Sequence, residues 1–125
     1  MCTNPLKKVS DIDNILHKII NKKLNSVIAV NRLLDNHPRR IKKIIKNKLY
    51  DFGEKEPNEI RRQDLRPKAY IRSGSIYAMS RKFLLKGLRY KSGSSVPYIL
   101  DDKNVLNIDE PIDLKLAKIL LNEKK

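Results

Sequence analysis

The sequence predicts an α/β layered fold, because two amphipathic helices and a buried strand can be identified in it. Apolar residues recur at helical spacing after Ser10, whose hydroxyl can cap the first turn, and the pattern fades at Lys22-Lys23. The next apolar run, Ser26–Val30, is short and rich in β-branched residues, as buried strands are. Pro111 opens a second amphipathic helix near the end of the sequence. Helices alternating with buried strands are typical of α/β proteins.

Shorter elements are predicted between these landmarks. Residues 69–79 are expected to form a strand whose backbone either bends at Gly74 or meets a ligand closely there. Ser80 is placed to cap a short helix that ends at Gly87. Two further apolar runs are strand candidates, at residues 96–100 and 104–108.

Residues 39–52 fit two different secondary structures. Ile41, Ile44 and Ile45, with flanking lysines, have the period of a basic amphipathic helix. Alternatively, Lys46-Asn47-Lys48 is the turn of a hairpin with strands at residues 41–45 and 49–52. Periodicity alone favours the helix.

Composition narrows the function only a little. The 125 residues suffice for one domain with a modest core, and the formal net charge is +14. Such a charge attracts nucleic acids, nucleotides or sugars that carry carboxylates. Lys, Ile and Asn are all frequent, however, as drift in an AT-rich genome would make them. The charge by itself therefore does not select a ligand.

Cysteine and histidine are too sparse for the usual metal and disulfide frameworks. Cys2 is the single cysteine, which excludes an intrachain disulfide and a cysteine-based metal site. His17 and His37 lie far apart and form no convincing zinc motif. The sequence shows no apolar signal core and no run long enough to cross a membrane, so a cytoplasmic location is expected and no membrane partner.

Three blocks of the sequence have a recognisable order and spacing. Arg62-Gln63-Asp64-Leu65 is followed by Ala69-Tyr70 and by Ser73-Gly74-Ser75-Ile76-Tyr77. Leu106-Asn107-Ile108-Asp109-Glu110-Pro111 precedes the last helix. Thr3-Asn4-Pro5-Leu6 precedes the first helix. Together they resemble the acylneuraminate cytidylyltransferases (CMP-sialic or legionaminic acid synthetases), with the runs Arg-Gln-Asp-Leu, Asn-Gly-Ala-Ile-Tyr, Ile-Asp-Ile-Asp and Gln-Pro-Thr-Ser-Pro-Leu.

The resemblance implies a fold, a reaction and partners. It implies part of a Rossmann-like nucleotidyltransferase fold, with residues 1–125 as the carboxyl-terminal portion of the domain. Residues 36–66 would project as an arm that pairs two subunits into a homodimer, which favours the hairpin over the helix. The implied reaction transfers CMP from CTP to an acidic sugar such as an N-acylneuraminate. Mg²⁺ is the implied cofactor, and bacterial cell-surface glycan synthesis the implied setting.

One family motif has no counterpart among these residues. The related enzymes open with an Arg-x-Gly-Ser-Lys loop that holds the phosphates of CTP, and polyphosphate binding needs such backbone N–H groups and cations. Here the matching sequence starts at the Thr-x-Pro-Leu segment. The resemblance therefore implies a fragment, or one half of a two-chain enzyme, that is inactive without a separate amino-terminal half.

Two residues are expected to be catalytic. Arg62 resembles an arginine near the sugar carboxylate, where a planar bidentate donor suits a planar acceptor. Asp109 resembles the second aspartate of the Ile-Asp-Ile-Asp run and is the expected Mg²⁺ ligand. The competing interpretations are a solvated cation for Arg62 and a helix-capping acid for Asp109. Asp113 is expected to be a first-turn acid favoured by the helix dipole.

Other residues are expected to bind substrate. Asn107 replaces the first aspartate of the pair, and Ser73 replaces the family's asparagine. Arg40 lies near a family lysine, with Arg39 as the alternative register. The expected substrate-binding residues are Arg40, Gln63, Tyr70, Ser73 and Asn107.

Two other functions remain open from sequence. A small basic nucleic-acid-binding protein would use the +14 charge and a helix over residues 39–48. Nucleic acid is nevertheless an unlikely partner, because the basic residues are dispersed and no stacking platform is evident. A dimerisation module that has lost catalysis is the third hypothesis.

Overall fold

The computed structural model describes residues 3–33, 36–58, 60–101 and 105–123. These residues belong to two compact units. The first unit comprises Met1–Asn31 and Arg72–Lys125, and the second unit is Arg32–Ile71.

The described residues form three α-helices and five β-strands, which confirms the α/β class. In chain order they are α1 (Val9–Asn21), β1 (Ser26–Arg32), β2 (Lys42–Ile45), β3 (Lys48–Asp51), β4 (Tyr70–Met79), α2 (Arg81–Leu85), β5 (Val96–Ile99) and α3 (Pro111–Asn122). Short 3-10 helices span Pro38–Arg40 and Arg62–Asp64. The strand predicted at 104–108 is wrong for residues 105–108, which have no regular structure, and residue 104 lies outside the described residues.

The first helix begins earlier than predicted. The N-cap of α1 is Lys8, whose side chain makes no capping hydrogen bond, and the N–H of Asp11 already donates to the carbonyl of Lys8 (3.2 Å). Ser10 therefore lies within the first turn, and its prediction as the cap is wrong. The end at Asn21 agrees with the sequence pattern.

A mixed three-stranded sheet forms the centre of the first unit, in the order β4-β1-β5. Strands β1 and β5 are parallel, with Val27 beside Val96. The N–H of Ser80 donates to the carbonyl of Asn25 (2.9 Å), so the end of β4 lies beside the start of β1. One face of the sheet packs against α1 through a buried apolar cluster: Ile15, Ile19, Val27, Ala29 and Leu100.

Polar contacts fix the direction of α1 along β5. The hydroxyl of Tyr98 donates to Asp11 (3.0 Å) and accepts from the amide of Asn14 (3.3 Å). The ammonium of Lys18 donates to the carbonyl of Pro97 (2.9 Å). Lys8 pairs with Asp101, which follows β5, at 3.9 Å. The amino end of α1 therefore lies at the carboxyl edge of the parallel strands.

The predicted bend and cap near β4 are both confirmed. Gly74 has a φ of 71°, in the left-handed region that an L-residue adopts at a cost. The hydroxyl of Ser80 accepts a hydrogen bond from the N–H of Phe83 (3.2 Å) and so caps α2. After α2 the chain turns at Gly87, also at a φ of 71°.

A hairpin, not a helix, occupies residues 42–51 of the second unit. Strands β2 and β3 are antiparallel, with Ile44 beside Leu49. Lys46 and Asn47 form the turn with φ values of 47° and 60°, the two left-handed residues of a type I′ turn. The helix favoured by periodicity is therefore wrong. The nucleic-acid hypothesis loses the basic helix on which it drew.

Ion pairs hold the base of this hairpin. The ammonium of Lys42 contacts the carboxylates of both Asp51 and Glu56, the latter at 2.8 Å. These hydrogen bonds, that of Asp51 first, raise the pKa of Lys42. The hydrogen bond from Lys42 lowers the pKa of Asp51 below its ordinary value. The stabilisation from Asp51 is therefore present above its unfolded-state pKa and is lost as the pH falls through its lowered value.

No helix among the described residues combines the length and the apolar character needed to cross a lipid bilayer.

The bend at Gly74 gives a direct test of this backbone. We expect Gly74→Ala to lower the free energy of unfolding by about 1–2 kcal/mol, because alanine pays for the left-handed conformation. A Cβ at Gly74 would meet no atom within 4 Å, so the cost is conformational. Urea unfolding followed by circular dichroism measures it.

Gly53→Ala is the matched control. Gly53 also has open space around it but does not have a positive φ. We expect Gly53→Ala to change the free energy of unfolding by less than about 0.5 kcal/mol. Equal effects at the two positions would contradict the assigned backbone at Gly74.

Candidate functional site

Two distant segments meet beside the amino end of α1. The N–H of Ile108 donates to the carbonyl of Thr3 (2.8 Å), and the amide nitrogen of Asn4 donates to the side-chain oxygen of Asn107 (2.9 Å). The amide nitrogen of Asn107 in turn donates to a carboxylate oxygen of Asp109. Asn4 is buried, so this chain of hydrogen bonds begins at a fixed point and ends at an exposed carboxylate.

Asp109 is not the capping acid of α3. The carboxylate of Asp113 accepts from the N–H of Glu110 (2.8 Å) and from that of Asp109 (3.0 Å). Pro111 occupies the first turn, where its missing N–H costs nothing. Glu110 is the N-cap, and its side chain and that of Asp113 form a capping box, so Asp113 is a first-turn acid as predicted. The competing interpretation of Asp109 as the cap is wrong, and its carboxylate instead accepts a hydrogen bond from Asn107.

The fit of these residues to Mg²⁺ follows from their hydrogen bonds. Mg²⁺ in proteins is held by one or two carboxylates together with water and substrate phosphates. Asp109 offers one carboxylate, whereas the oxygen of Asn107 is engaged by Asn4. The described residues contain no cluster of three or more His, Cys, Asp or Glu side chains suited to a metal. They therefore fit an ion shared with a phosphate-bearing substrate, and not one held by these side chains alone.

Ser73 is buried within the first unit. Its hydroxyl lies on β4, accepts from the N–H of Ser75 (3.1 Å) and hydrogen-bonds to the hydroxyl of Ser75. The left-handed Gly74 between the two serines brings these groups together. The hydroxyl of Ser73, expected from sequence to bind substrate, is thus used within the strand.

The basic residues of the predicted site lie in the second unit, and the two arginines at positions 39 and 40 form ion pairs. Arg40 contacts Glu56 at 3.5 Å, and Arg39 contacts Glu54 at 2.7 Å. Arg62 and Gln63 are exposed on the 3-10 helix Arg62–Asp64. Their side chains are therefore presented to solvent on a short rigid turn.

Tyr70 lines a cavity of about 330 Å³ in the same unit. His37, Pro67 and Arg39 also line this cavity. His37 is buried, its Nδ1 accepts from the N–H of Arg39 (3.3 Å), and its Nε2 lies 2.8 Å from the carbonyl of Pro67. Nδ1 is an acceptor, so the proton resides on Nε2, which donates to Pro67. Both ring nitrogens are therefore used to hold the wall of the cavity.

Sequence reasoning missed two structural residues of these sites. Asn4 positions Asn107 from 103 residues away, and no local pattern could reveal that contact. His37 carried the weak signal of a lone histidine before a proline. His17, by contrast, is exposed on α1.

His37 should contribute substantially to the stability of the second unit. We expect His37→Ala to lower the free energy of unfolding by about 2–3 kcal/mol, because it leaves the N–H of Arg39 and the carbonyl of Pro67 without their partner. His17→Ala is the control, with an expected change within about 0.5 kcal/mol. Urea unfolding of both variants measures the difference, and similar values would refute the structural role of His37.

The predicted site residues are therefore divided between the two units. The first unit holds Ser73, Asn107 and Asp109, and the second holds Arg40, Arg62, Gln63 and Tyr70. No protein-family model matches the sequence, and no curated protein matches it either.

Proposed function

We propose that this chain contributes the sugar-binding part and the dimerisation arm of a cytidylyltransferase that transfers CMP from CTP to an acidic sugar. The N-acylneuraminates and related nine-carbon acids are the proposed sugar class. The proposal combines the resemblance of the three sequence blocks with the environment of one carboxylate, that of Asp109.

The position of Asp109 is the observation that carries the proposal. In open α/β sheets, ligands bind outside the carboxyl ends of the parallel strands. The segment Thr3-Asn4 precedes the end of α1 that lies at this edge, and it holds Asn107 and Ile108. The neighbours of Asp109 are thus held by the segment that leads into this end of α1, and the Asp109 carboxylate is exposed and does not cap α3.

Asp109 and the nucleotide phosphates would share Mg²⁺. When bound, Mg²⁺ offsets the negative charge of the phosphates. Asn107 has no charge of its own, but its amide fixes the orientation of the Asp109 carboxylate. The role of Asn107 in this proposal is therefore to position the Asp109 carboxylate that would bind Mg²⁺.

The reaction joins an alcohol to a phosphorus atom. The anomeric hydroxyl oxygen of the sugar forms a bond to the α-phosphorus of CTP, and the bond to the bridging oxygen breaks. Pyrophosphate leaves with that electron pair, and the hydroxyl proton passes to solvent. Catalysis of this kind consists mainly of positioning and charge stabilisation. Arg62 would supply the positioning, since a guanidinium pairs with the sugar carboxylate in a bidentate manner.

The second unit supports the assignment of an arm. Its bounds, Arg32–Ile71, enclose the expected arm at residues 36–66. One face of the β2–β3 hairpin presents Ile45 and Tyr50, and continues to Ile41 and Phe52, which are joined by a backbone hydrogen bond of 3.0 Å. All four side chains are exposed in a single chain. Covering them in a homodimer would remove this apolar surface from water.

Pyrophosphate release tests the reaction. The chain is assayed with CTP, Mg²⁺ and N-acetylneuraminate, alone and mixed with a separate polypeptide that carries an Arg-x-Gly-Ser-Lys loop. We expect turnover only in the mixture, and Asp109→Asn should lower kcat/KM at least about tenfold because a metal-binding charge is lost.

Asp13→Asn is the matched control, because Asp13 is an exposed carboxylate on α1. It should leave kcat/KM unchanged. Binding of N-acetylneuraminate to the chain alone, measured by saturation-transfer NMR, provides a second readout. Absence of both turnover and sugar binding would refute the proposed function.

Light scattering coupled to size exclusion tests the arm. We expect the wild-type chain to be a dimer, and the double variant Ile45→Glu/Phe52→Glu to weaken the dimer at least about tenfold, because burial of each charge would need a partner. Ile20→Glu is the control, since Ile20 is equally exposed but lies on α1. A monomeric wild type, or a double variant that remains dimeric, would contradict the arm.

A further inference from the structure

Three lysines surround a small cavity in the first unit. Lys82, Lys86 and Lys91 line a volume of about 230 Å³ together with Phe83 and Leu88. Phe83 is buried and Leu88 is half-buried, whereas the lysines are exposed. The cavity thus has an apolar wall and a cationic rim.

The cavity lies at the edge of the sheet opposite to Asp109. Asn25, which precedes β1, and Ser94, which precedes β5, also line it. Because β1 and β5 are parallel, both residues mark the amino edge of these strands. The segment Thr3-Asn4, which holds Asn107, precedes the end of α1 that lies at the carboxyl edge. The cavity therefore shares no residue with the site around Asp109.

The backbone that carries Lys82 and Lys86 is fixed by the end of α2. The N–H of Gly87 donates to the carbonyl of Leu84 (2.9 Å), and that of Leu88 donates to the carbonyl of Phe83 (3.3 Å). With Gly87 in the left-handed conformation, these two bonds form a Schellman motif. The motif sets the direction in which the chain leaves the helix beneath the two lysines.

A second set of hydrogen bonds fixes Lys91. Its carbonyl accepts from the N–H groups of Ser94 (3.1 Å) and Ser95 (2.9 Å), and its own N–H donates to the hydroxyl of Ser95 (2.9 Å). The hydroxyl of Ser95 also lies 2.6 Å from that of Ser26 at the start of β1. The loop that brings the third lysine is therefore tied to the sheet.

The charges of these lysines are not balanced by the lining of the cavity. No carboxylate lines it, and none of the three lysines takes part in an ion pair among the described residues. Lys82 and Lys86 are four residues apart, where like charges disfavour a helix. The negative end of the α2 dipole offsets part of this repulsion but does not explain why Lys91 joins them.

We propose that this cavity binds a compact phosphate anion, with pyrophosphate or a small phosphate ester as the ligand class. Lysine is a common phosphate ligand that acts as a point charge with three donors. A small cavity lined by three lysines suits a small anion better than a nucleic acid, which uses an extended basic groove with stacking aromatic side chains. The aromatic side chain of this lining, Phe83, is buried.

Calorimetric titration of the full chain with sodium pyrophosphate tests the site. The buffer contains EDTA and low salt, so that no metal carries the anion. We expect Lys82→Gln/Lys91→Gln to weaken binding about tenfold or more. The control Lys43→Gln/Lys48→Gln removes the same charge from the hairpin, and Asp13→Asn alters an exposed carboxylate on α1. Both control variants should bind pyrophosphate with an affinity within about twofold of that of the wild type.

Each outcome decides the question. A loss confined to the cavity variant supports the site. Equal binding of pyrophosphate by all variants, or no heat of binding with the wild type, overturns the site. Tighter binding of a single-stranded oligonucleotide than of pyrophosphate, if it depends on the hairpin lysines, also overturns it. Circular dichroism verifies folding, and if the double variant is unfolded, the single loop change Lys91→Gln replaces it with an expected loss of about threefold to tenfold.

Discussion

The packing of α1 against the sheet is the constraint on which the rest of the first unit depends. Ile15 and Val27 are completely buried at this contact, and Tyr98 and Lys18 fix the direction of the helix along β5. α1 and β5 are far apart in the sequence, so their association brings distant segments together at both edges of the sheet. At one edge it places Asn4 where it can hold Asn107. At the other it leaves the loops before β1 and β5 side by side.

Sequence patterns predicted those elements whose side chains repeat with a clear period. The helix after Lys8 is an example, because Ile15 and Ile19 are buried on one of its faces. The strand from Ser26 was predictable from a different pattern, a short apolar run whose residues from Ser26 to Ala29 are all buried. The hairpin was ambiguous because its isoleucines have helical spacing and its turn, Lys46-Asn47, has no glycine. The apolar run at 105–108 contacts Thr3 through the N–H of Ile108 and forms no strand among the described residues. Periodicity cannot detect that difference.

The residue types of the candidate site were predictable from sequence, but the role of each residue was not. Sequence alone allowed Asp109 to cap α3, with Asp113 as an acid of its first turn. In the structure Glu110 is the N-cap, Asp113 completes a capping box with it, and Asp109 is connected to Asn107. Such an assignment depends on side-chain directions separated by about one helical turn, which spacing cannot specify. The contact between Asn4 and Asn107 depends on the whole topology.

The hairpin unit leaves and rejoins the chain at neighbouring points. The N–H of Leu33, just after β1, donates to the carbonyl of Ala69, just before β4, at 2.9 Å. Since β1 and β4 are adjacent in the sheet, the intervening residues close a loop whose two ends are already fixed. Closing a longer or shorter insertion between fixed ends changes the chain entropy only slowly with length. The segment between Leu33 and Ala69 can therefore be lengthened, shortened or replaced in evolution without altering the register of β1 and β4.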